Sequence, residues 1–316
     1  MRVAILGTGA LGGVIAGCLA DTRAELVCVS RGRSAELIES GLTIFTPEGS
    51  VEMIPGERYV LIDSEKGPLE EIVCGSCDVA IVAGKANSTS SLSSIAEDIL
   101  SESGVAVSIQ NGLGNAEIIA SRVGWDSVIG GSTTHSAWRD GEGSVYWTGR
   151  GSIFLGTIGG SDPDSTTLEF VSLLEEAGLN PKWSSDIEKE IWKKLMINVA
   201  INPICAIAGV RNGALAQIPE LWEQSLEAMR EAESVARASG VDLGEMDNEE
   251  YLRKVVTSTS ENRVSMLQDL MAGRKTEIDF LCGEVVSRGG ELGIPTPRNE
   301  VLLALMRGIE MSQHHE

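Results

Sequence analysis

The sequence predicts an α/β protein with two domains, a parallel sheet covered by helices on both faces and a mostly α-helical domain after it. Three observations support this fold class. The first half alternates apolar runs of strand type with helical segments. Helical periodicity dominates the second half. The length of 316 residues is about twice the roughly 150 residues of one domain. We therefore predict domains over residues 1–183 and 184–316.

The elements of the first domain follow one another as βαβ units. Apolar runs predict strands at residues 2–6, 25–29, 79–83, 105–109 and 127–130, with helices at 11–20, 92–100 and 115–122. The first of these helices is expected to be amphipathic. Between about residues 133 and 155, short Thr-, Val- and aromatic-rich runs are separated by glycines, which predicts antiparallel strands that extend the edge of the sheet.

The second domain is predicted to contain helices at residues 186–208, 219–239, 248–258, 277–292 and 297–311. Thr296 precedes Pro297, a pairing typical of a helix N-cap followed by proline at the first helical position. Pro203 lies inside the first of these helical patterns and has no N–H to donate. A kink or a helix end is therefore expected near Asn202.

Composition excludes several classes of function. The formal charge of −21 would repel nucleic acids and anionic membranes. The longest apolar stretch, residues 195–210, is interrupted by polar residues and proline, so no membrane span is predicted. The N-terminus lacks the charged and apolar regions of a signal peptide, which makes the cytoplasm the expected location. Oligomeric state is left open, and a homodimer is compatible with the sequence.

The six cysteines are too few for a disulfide framework in a chain of this length. Cys74 and Cys77 form a single C-x-x-C, whereas zinc would need a second pair or suitably spaced histidines. The three histidines are His135, His314 and His315. No metal site is expected.

A glycine-rich turn marks the predicted cofactor site. Gly7-Thr8-Gly9-Ala10-Leu11-Gly12 fits G-x-G-x-x-G and lies between the first strand and the first helix. Gly7 would permit the tight turn, Gly9 would let the backbone approach a pyrophosphate closely, and Gly12 would let the helix and the strand pack closely. The alternative is an ordinary βα turn, but the strand–turn–helix context favours a Rossmann-type doubly wound sheet that binds a dinucleotide.

The end of the second predicted strand indicates which dinucleotide is bound. Enzymes that use NAD usually carry an acidic residue there for the ribose 2′-hydroxyl. This chain instead has Arg31 and Arg33, which could hold a 2′-phosphate. The sequence therefore favours NADP(H), with two solvated loop arginines as the alternative.

Three polar residues share one face of the predicted helix at 186–208. At about 100° per residue, Lys194, Asn198 and Asn202 are neighbours over two turns, while Lys193 points elsewhere. Amides within an apolar helix need hydrogen-bond partners. Those partners are either other core groups or a ligand, and the aligned lysine favours a site.

Seven blocks of sequence together span nearly the whole chain. Beyond the glycine motif they are Gly84-Lys85-Ala86, Gln110-Asn111-Gly112-Leu113-Gly114, Trp192-Lys193-Lys194-Leu195 with Asn198 and Asn202-Pro203, Ser265-Met266-Leu267-Gln268-Asp269, Thr276-Glu277-Ile278-Asp279, and Gly293-Ile294-Pro295-Thr296-Pro297. In these blocks the chain resembles the 2-dehydropantoate 2-reductase (ketopantoate reductase) family. The last four blocks are the specific ones, because many dehydrogenases share the glycine motif.

The resemblance implies NADPH-dependent reduction of ketopantoate, a small 2-keto acid, in pantothenate and coenzyme A biosynthesis. It implies a site in a cleft between the two domains, with Lys194 as general acid and Glu277 as the second essential polar residue. From the residues alone, Glu277 could equally be a first-turn acid after a capping Thr276, and we interpret Asp279 as part of that cap.

The resemblance also implies substrate binding by Asn198, Asn202 and Ser265, and places Lys85 and Asn111 where nicotinamide and substrate meet. Lys85 and Asn111 each follow a strand of the predicted parallel sheet, at the edge where such folds bind ligands. Without the resemblance they are ordinary loop and turn residues. Two rival functions remain, a reductase of another 2-keto or 3-hydroxy acid on the same scaffold and a non-catalytic NADPH-binding sensor.

Overall fold

The computed structural model describes residues 1–67, 69 and 73–313. His314 and His315 lie outside this range. Contacts between Cα atoms divide the chain into two compact units. The first contains Met1–Gln110 and Asn115–Ile187, and the second contains the short segment Asn111–Gly114 together with the chain from Glu188 onward.

A sheet of eight strands forms the centre of the first unit. The strands of this unit are β1 (Arg2–Leu6), β2 (Glu25–Ser30), β3 (Gly41–Phe45), β4 (Val51–Pro55), β5 (Tyr59–Asp63), β6 (Cys77–Val82), β7 (Leu100–Ser108), β8 (Val128–Thr133), β9 (Ser136–Arg139), β10 (Val145–Gly149), β11 (Ile153–Thr157) and β12 (Pro181–Trp183). The order in the large sheet is β12-β11-β8-β7-β6-β1-β2-β5, parallel from β5 through β8. Strand β11 then runs antiparallel to its neighbour β8.

Helices cover both faces of this sheet, which confirms the predicted fold class. The helices of the first unit are α1 (Ala10–Ala20), α2 (Arg33–Glu36), α3 (Thr89–Ile99), α4 (Asn115–Val123) and α5 (Ser165–Glu176). In β1, Val3 and Ile5 belong to one apolar core, whereas Ala4 and Leu6 belong to the core on the other face. Burial on both faces explains why this strand reads as a continuous apolar run.

A second, four-stranded sheet in the order β4-β3-β10-β9 packs beside α1. The expectation that the segment 133–155 extends the large sheet holds for β11 but is wrong for β9 and β10. These two strands join the smaller sheet because β10 pairs in parallel with β3, about a hundred residues earlier in the chain. Such a distant pairing leaves no local signal in the sequence.

The small sheet changes the environment of α1. Cβ atoms at Gly13 and Gly17 would collide with Val145 of β10 and Ile44 of β3, so these two glycines let the sheet approach the helix. The helix is therefore buried around most of its circumference. The prediction of an amphipathic helix is wrong for this reason, since a helix covered on opposite sides is apolar all round.

The second unit is helical in its described part. Its helices are α6 (Ile187–Ala208), α7 (Ala214–Gln217), α8 (Pro219–Ala238), α9 (Asn248–Ser258), α10 (Ser265–Met271), α11 (Cys282–Leu292) and α12 (Pro297–Gln313). By length and composition α6 could cross a membrane, but 56% of its most apolar window is buried inside the protein. Residues such as Leu195, Met196 and Val199 place this helix in the core of the unit.

Two local details of the second unit concern where its helices begin and end. The helix α6 continues through Pro203 to Ala208, so of the two alternatives expected near Asn202 the helix end is wrong. The predicted helix at 277–292 is interrupted. Ile278–Phe280 form a single 3₁₀ turn, Leu281 has φ −103° and ψ −96°, and only then does α11 begin.

Candidate active site

The glycine turn of the first unit has the conformation that the motif requires. Gly7 has φ +95°, and a Cβ there would lie 2.5 Å from the Cα of Gly84. A Cβ at Gly12 would overlap the carbonyl oxygen of Gly7. Both positions therefore need glycine, one for its backbone angle and both for close packing. The other members of the motif, Thr8, Gly9, Ala10 and Leu11, complete the turn into α1.

Gly9 supplies the open side of this turn. It is the N-cap of α1, no side chain caps the helix there, and a Cβ added at Gly9 would meet nothing within 4 Å. The first turn of α1 carries no acidic residue. Helix N-termini of this kind attract anions through their N–H groups and the helix dipole. The turn therefore fits the diphosphate of a dinucleotide.

A second loop adjoins this turn at the carboxyl edge of the sheet. The backbone N–H of Gly84 donates to the Leu6 carbonyl at 3.0 Å, and the side chain of Gln110 donates to the Gly84 carbonyl at 2.8 Å. Lys85 is the next residue after Gly84 and is exposed. The structure thus brings the predicted residues Gly7 and Lys85 to neighbouring loops of the first unit.

Arg31 lies directly after β2 and is exposed. Its guanidinium pairs with Glu65 at 3.3 Å, and both side chains are well exposed to solvent. The neighbouring Gly32 donates its N–H to Asp63 Oδ1 at 2.9 Å, and bonds from backbone N–H groups hold the pKa of Asp63 below its ordinary value. Two carboxylates therefore approach this loop, one from the end of β5 and one from the chain just after it. Sequence reasoning missed both, because the pairing of β2 with β5 is not visible in the sequence.

Lys194 occupies the third turn of α6 in the second unit. Lys194 is half-buried by surface area. Burial is the larger influence and lowers its pKa from 10.5 to about 8, while the negative charge of Glu277 acts in the opposite direction. A lysine with this pKa can donate a proton near neutral pH.

Glu277 precedes the 3₁₀ turn at Ile278–Phe280 and is buried, with 6% of its surface exposed. Its Oε2 accepts a hydrogen bond from Nδ2 of Asn111 at 3.3 Å. Glu277 thus has both Asn111 and the charge of Lys194 as neighbours in the second unit. These three residues are all candidates that were predicted from the sequence.

The segment Asn111–Gly114 is held against the chain that follows Glu277. Leu113 donates its N–H to the Phe280 carbonyl at 3.0 Å. Gly112 has φ +88°, and a Cβ there would overlap the Phe280 carbonyl oxygen. Glycine is therefore required at this position, and its conformation keeps Asn111 beside Glu277.

The remaining predicted substrate residues are less closely tied to this group. Asn198 and Asn202 are half-buried on α6, one and two turns after Lys194. Ser265 is exposed at the first residue of α10. Their roles stay predictions. Asp279, which we interpreted as part of a helix cap, instead pairs with Arg307 at 2.7 Å, so that interpretation is wrong.

Burial makes several of the cysteines poor nucleophiles. Cys28, Cys77, Cys205 and Cys282 are buried, and burial raises the pKa of each thiol. Within residues 1–67, 69 and 73–313, no group of three or more His, Cys, Asp or Glu side chains could hold a metal ion. The candidate residues of the second unit instead offer an amine, a carboxylate and amides, a set suited to binding a polar substrate and protonating an oxygen that gains negative charge.

Comparison with protein families matches both parts of the chain. Residues 3–160 match the family model described as ketopantoate reductase PanE/ApbA, and residues 186–310 match the model described as its C-terminal part. The 2-dehydropantoate 2-reductase of Archaeoglobus fulgidus is 34% identical over 309 residues, which cover 98% of each chain.

Solved structures give the same picture. The crystal structure of a PanE/ApbA family ketopantoate reductase from Ralstonia eutropha superposes with a TM-score of 0.88 at 30% identity, covering 100% of both chains. A D-mandelate dehydrogenase solved with NADH and anilino(oxo)acetate also gives a TM-score of 0.88, at 23% identity and with 99% and 100% of the two chains covered. This second likeness concerns the fold alone.

Proposed function

The chain belongs to the ketopantoate reductase family, and on that premise we propose that it reduces 2-dehydropantoate to pantoate with NADPH, in pantothenate and coenzyme A biosynthesis. Lys194 is the general acid of this reaction. The observation that carries the proposal is the group of Lys194, Glu277 and Asn111 in the second unit, where the buried Glu277 accepts a hydrogen bond from Asn111 and burial lowers the pKa of Lys194 to about 8. An amine in this state is protonated at neutral pH and can still give up its proton.

The residues of the first unit would hold the cofactor. NADPH supplies a hydride to the ketone carbon when it is bound. Gly7 and Gly12 maintain the turn, and the open N-terminus of α1 at Gly9 would receive the diphosphate. Arg31 would hold the 2′-phosphate, and Lys85 lies on the loop beside the glycine turn.

The residues of the second unit would bind and protonate the substrate. When a ketone gains a hydride its oxygen becomes an alkoxide, and the ammonium of Lys194 would stabilise this charge and transfer its proton to the oxygen. The neutral amine then takes a proton from water. Glu277 and Asn111 would orient the polar end of the substrate, with Asn198, Asn202 and Ser265 as further hydrogen-bonding groups.

Another 2-keto or 3-hydroxy acid is the alternative substrate class. The same fold occurs in a D-mandelate dehydrogenase, so the fold does not determine which acid is the substrate. A non-catalytic NADPH sensor is the less favoured alternative, because it would have no use for an amine with the lowered pKa of Lys194. The cytoplasmic location and the homodimer stay predictions.

A steady-state assay against a panel of 2-keto acids, each with NADPH and with NADH, tests this proposal. We expect the highest kcat/KM for ketopantoate with NADPH. A higher value for another acid would assign the chain to a different reductase activity. Cofactor binding without turnover of any acid would instead support the sensor.

A further inference from the structure

We infer that Glu310, near the end of α12, is a positioning residue for Glu277. The inference rests on the proposed function, because it concerns the same site. Glu310 is buried, with 8% of its surface exposed. One oxygen of its carboxylate, Oε1, accepts two hydrogen bonds from Thr276, from the backbone N–H at 2.7 Å and from the side-chain hydroxyl at 2.5 Å.

These bonds fix the backbone on both sides of Glu277. The hydroxyl of Thr276 donates to Glu310 and accepts a bond from the N–H of Ile278 at 3.3 Å. The peptide group before Thr276 and the peptide group after Glu277 are therefore both linked to one buried carboxylate, the first through the N–H of Thr276 and the second through the Thr276 hydroxyl. The Glu277 carbonyl in turn accepts bonds from Phe280 at 3.0 Å and Leu281 at 3.1 Å.

A second contact between α12 and this turn is much weaker. Arg307, one turn before Glu310, binds Asp279 at 2.7 and 2.9 Å, and the side chains of both are partly open to solvent. Exposed ion pairs contribute little to stability, whereas hydrogen bonds to a buried charged group are among the stronger ones. Glu310 is thus the contact that would hold Glu277, and Arg307 offers a matched control on the same helix.

A carboxylate in this place has a purpose beyond packing. A buried charge is costly to desolvate, and an apolar side chain of similar volume would often stabilise a core at least as well. What the carboxylate adds is a directed acceptor for two donors. Catalytic groups need such support, because a displacement of about 1 Å can lower a rate about a hundredfold.

The test compares Glu310→Ala and Thr276→Val with Arg307→Ala as the control. Thr276→Val keeps the side-chain shape and removes the hydroxyl link. For both test variants we expect kcat for ketopantoate reduction to fall by about 10-fold to 100-fold while the KM for NADPH is unchanged. Thr276→Ser should restore most of the rate, and Arg307→Ala should keep it.

The titration of Lys194 separates positioning from a general loss of structure. If Glu277 moves, its charge no longer opposes the effect of burial, and the pKa of Lys194 should fall below about 8. The lysine can be titrated by NMR with ¹³C-labelled lysine, independently of turnover. A merely structural role would lower the melting temperature and leave this pKa where it is in the wild type.

The outcomes distinguish the two claims. Wild-type kcat and an unchanged Lys194 titration in folded Glu310→Ala and Thr276→Val would overturn the positioning role. If the Lys194 titration shifts in these two variants but the wild type turns over no keto acid, the role of Glu310 is supported and the proposed function is refuted. Undiminished ketopantoate turnover in Glu277→Gln would overturn the role of Glu310 and leave the proposed reaction standing, because Glu277 would then need no positioning.

Discussion

Raising the pH from 7 to 9 is expected to lower kcat/KM for ketone reduction about tenfold. Burial lowers the pKa of Lys194 to about 8, and Glu277 opposes this only in part. Since each pH unit changes the ratio of the two forms tenfold, the amine is about 90% protonated at pH 7, about half protonated at pH 8 and about 10% protonated at pH 9. Only the protonated form can act as the acid, so activity is lost as the pH rises through about 8.

The assay is a profile of kcat/KM for ketopantoate with NADPH between pH 6 and 10, because kcat/KM reports the groups of the free enzyme. NADPH binding should be measured at both ends of the range to exclude an effect on the cofactor. In Glu277→Gln the descending limb should move to lower pH, since the charge that raises the pKa of Lys194 is gone.

A lysine in water would behave differently. With a pKa of 10.5 it would remain about 97% protonated at pH 9, and the profile would be nearly flat over this range. A profile that stays flat up to pH 9 would refute the lowered pKa of Lys194. A limb near 8 that does not move in Glu277→Gln would refute the electrostatic link between the two residues.

Three further substitutions test the cofactor turn and the loop beside Glu277. In Gly9→Ala the new Cβ lies in open space, so the melting temperature should stay at the wild-type value while the KM for NADPH rises. Unchanged NADPH binding would show that the diphosphate does not bind at this turn. Arg31→Ala should weaken the binding of NADPH by about 10-fold to 100-fold and the binding of NADH much less, as measured by fluorescence titration. An equal loss for both cofactors would show that Arg31 does not bind the 2′-phosphate. Gly112→Ala should lower both stability and kcat, because φ is +88° and the new Cβ would overlap the Phe280 carbonyl. Gly124→Ala, with φ +82° and nothing within 4 Å, is its control, and similar thermal shifts and rates in the two variants would count against the role of the loop.

Much of the first unit could be predicted because its signals are local. The strand at Arg2–Leu6 and the glycine turn after it follow from a few adjacent residues. The small sheet was not predicted, since Val145 of β10 meets Ile44 of β3 across a hundred residues. The environment of α1 depends on that sheet, which is why the helix was expected to be amphipathic.

The candidate site was predicted in its residues but not in its connections. Helical spacing selects Lys194 together with Asn198 and Asn202. No local pattern indicates that Asn111 lies 3.3 Å from Glu277, because the contact joins residues 166 positions apart. The link from Glu310 to Thr276 spans 34 positions and was missed for the same reason.

The turn at Glu277 shows how tertiary contacts override a local pattern. Thr276 and Asp279 resemble the start of a helix, yet the chain makes one 3₁₀ turn and breaks at Leu281. Thr276 bonds to Glu310, and Asp279 binds Arg307, both on α12. The partners that decide the conformation lie outside the window that a capping pattern covers.

The most direct measurement is NADPH binding and ketopantoate turnover in Lys194→Ala, with Lys193→Ala as the matched control. Lys193 is the neighbouring lysine on α6 and pairs with Glu190 at 3.8 Å. We predict that both variants bind NADPH like the wild type, that Lys193→Ala keeps its kcat, and that Lys194→Ala loses at least about a hundredfold, the lower range for general acid catalysis. Undiminished turnover in folded Lys194→Ala would contradict the assignment of this lysine as the proton donor.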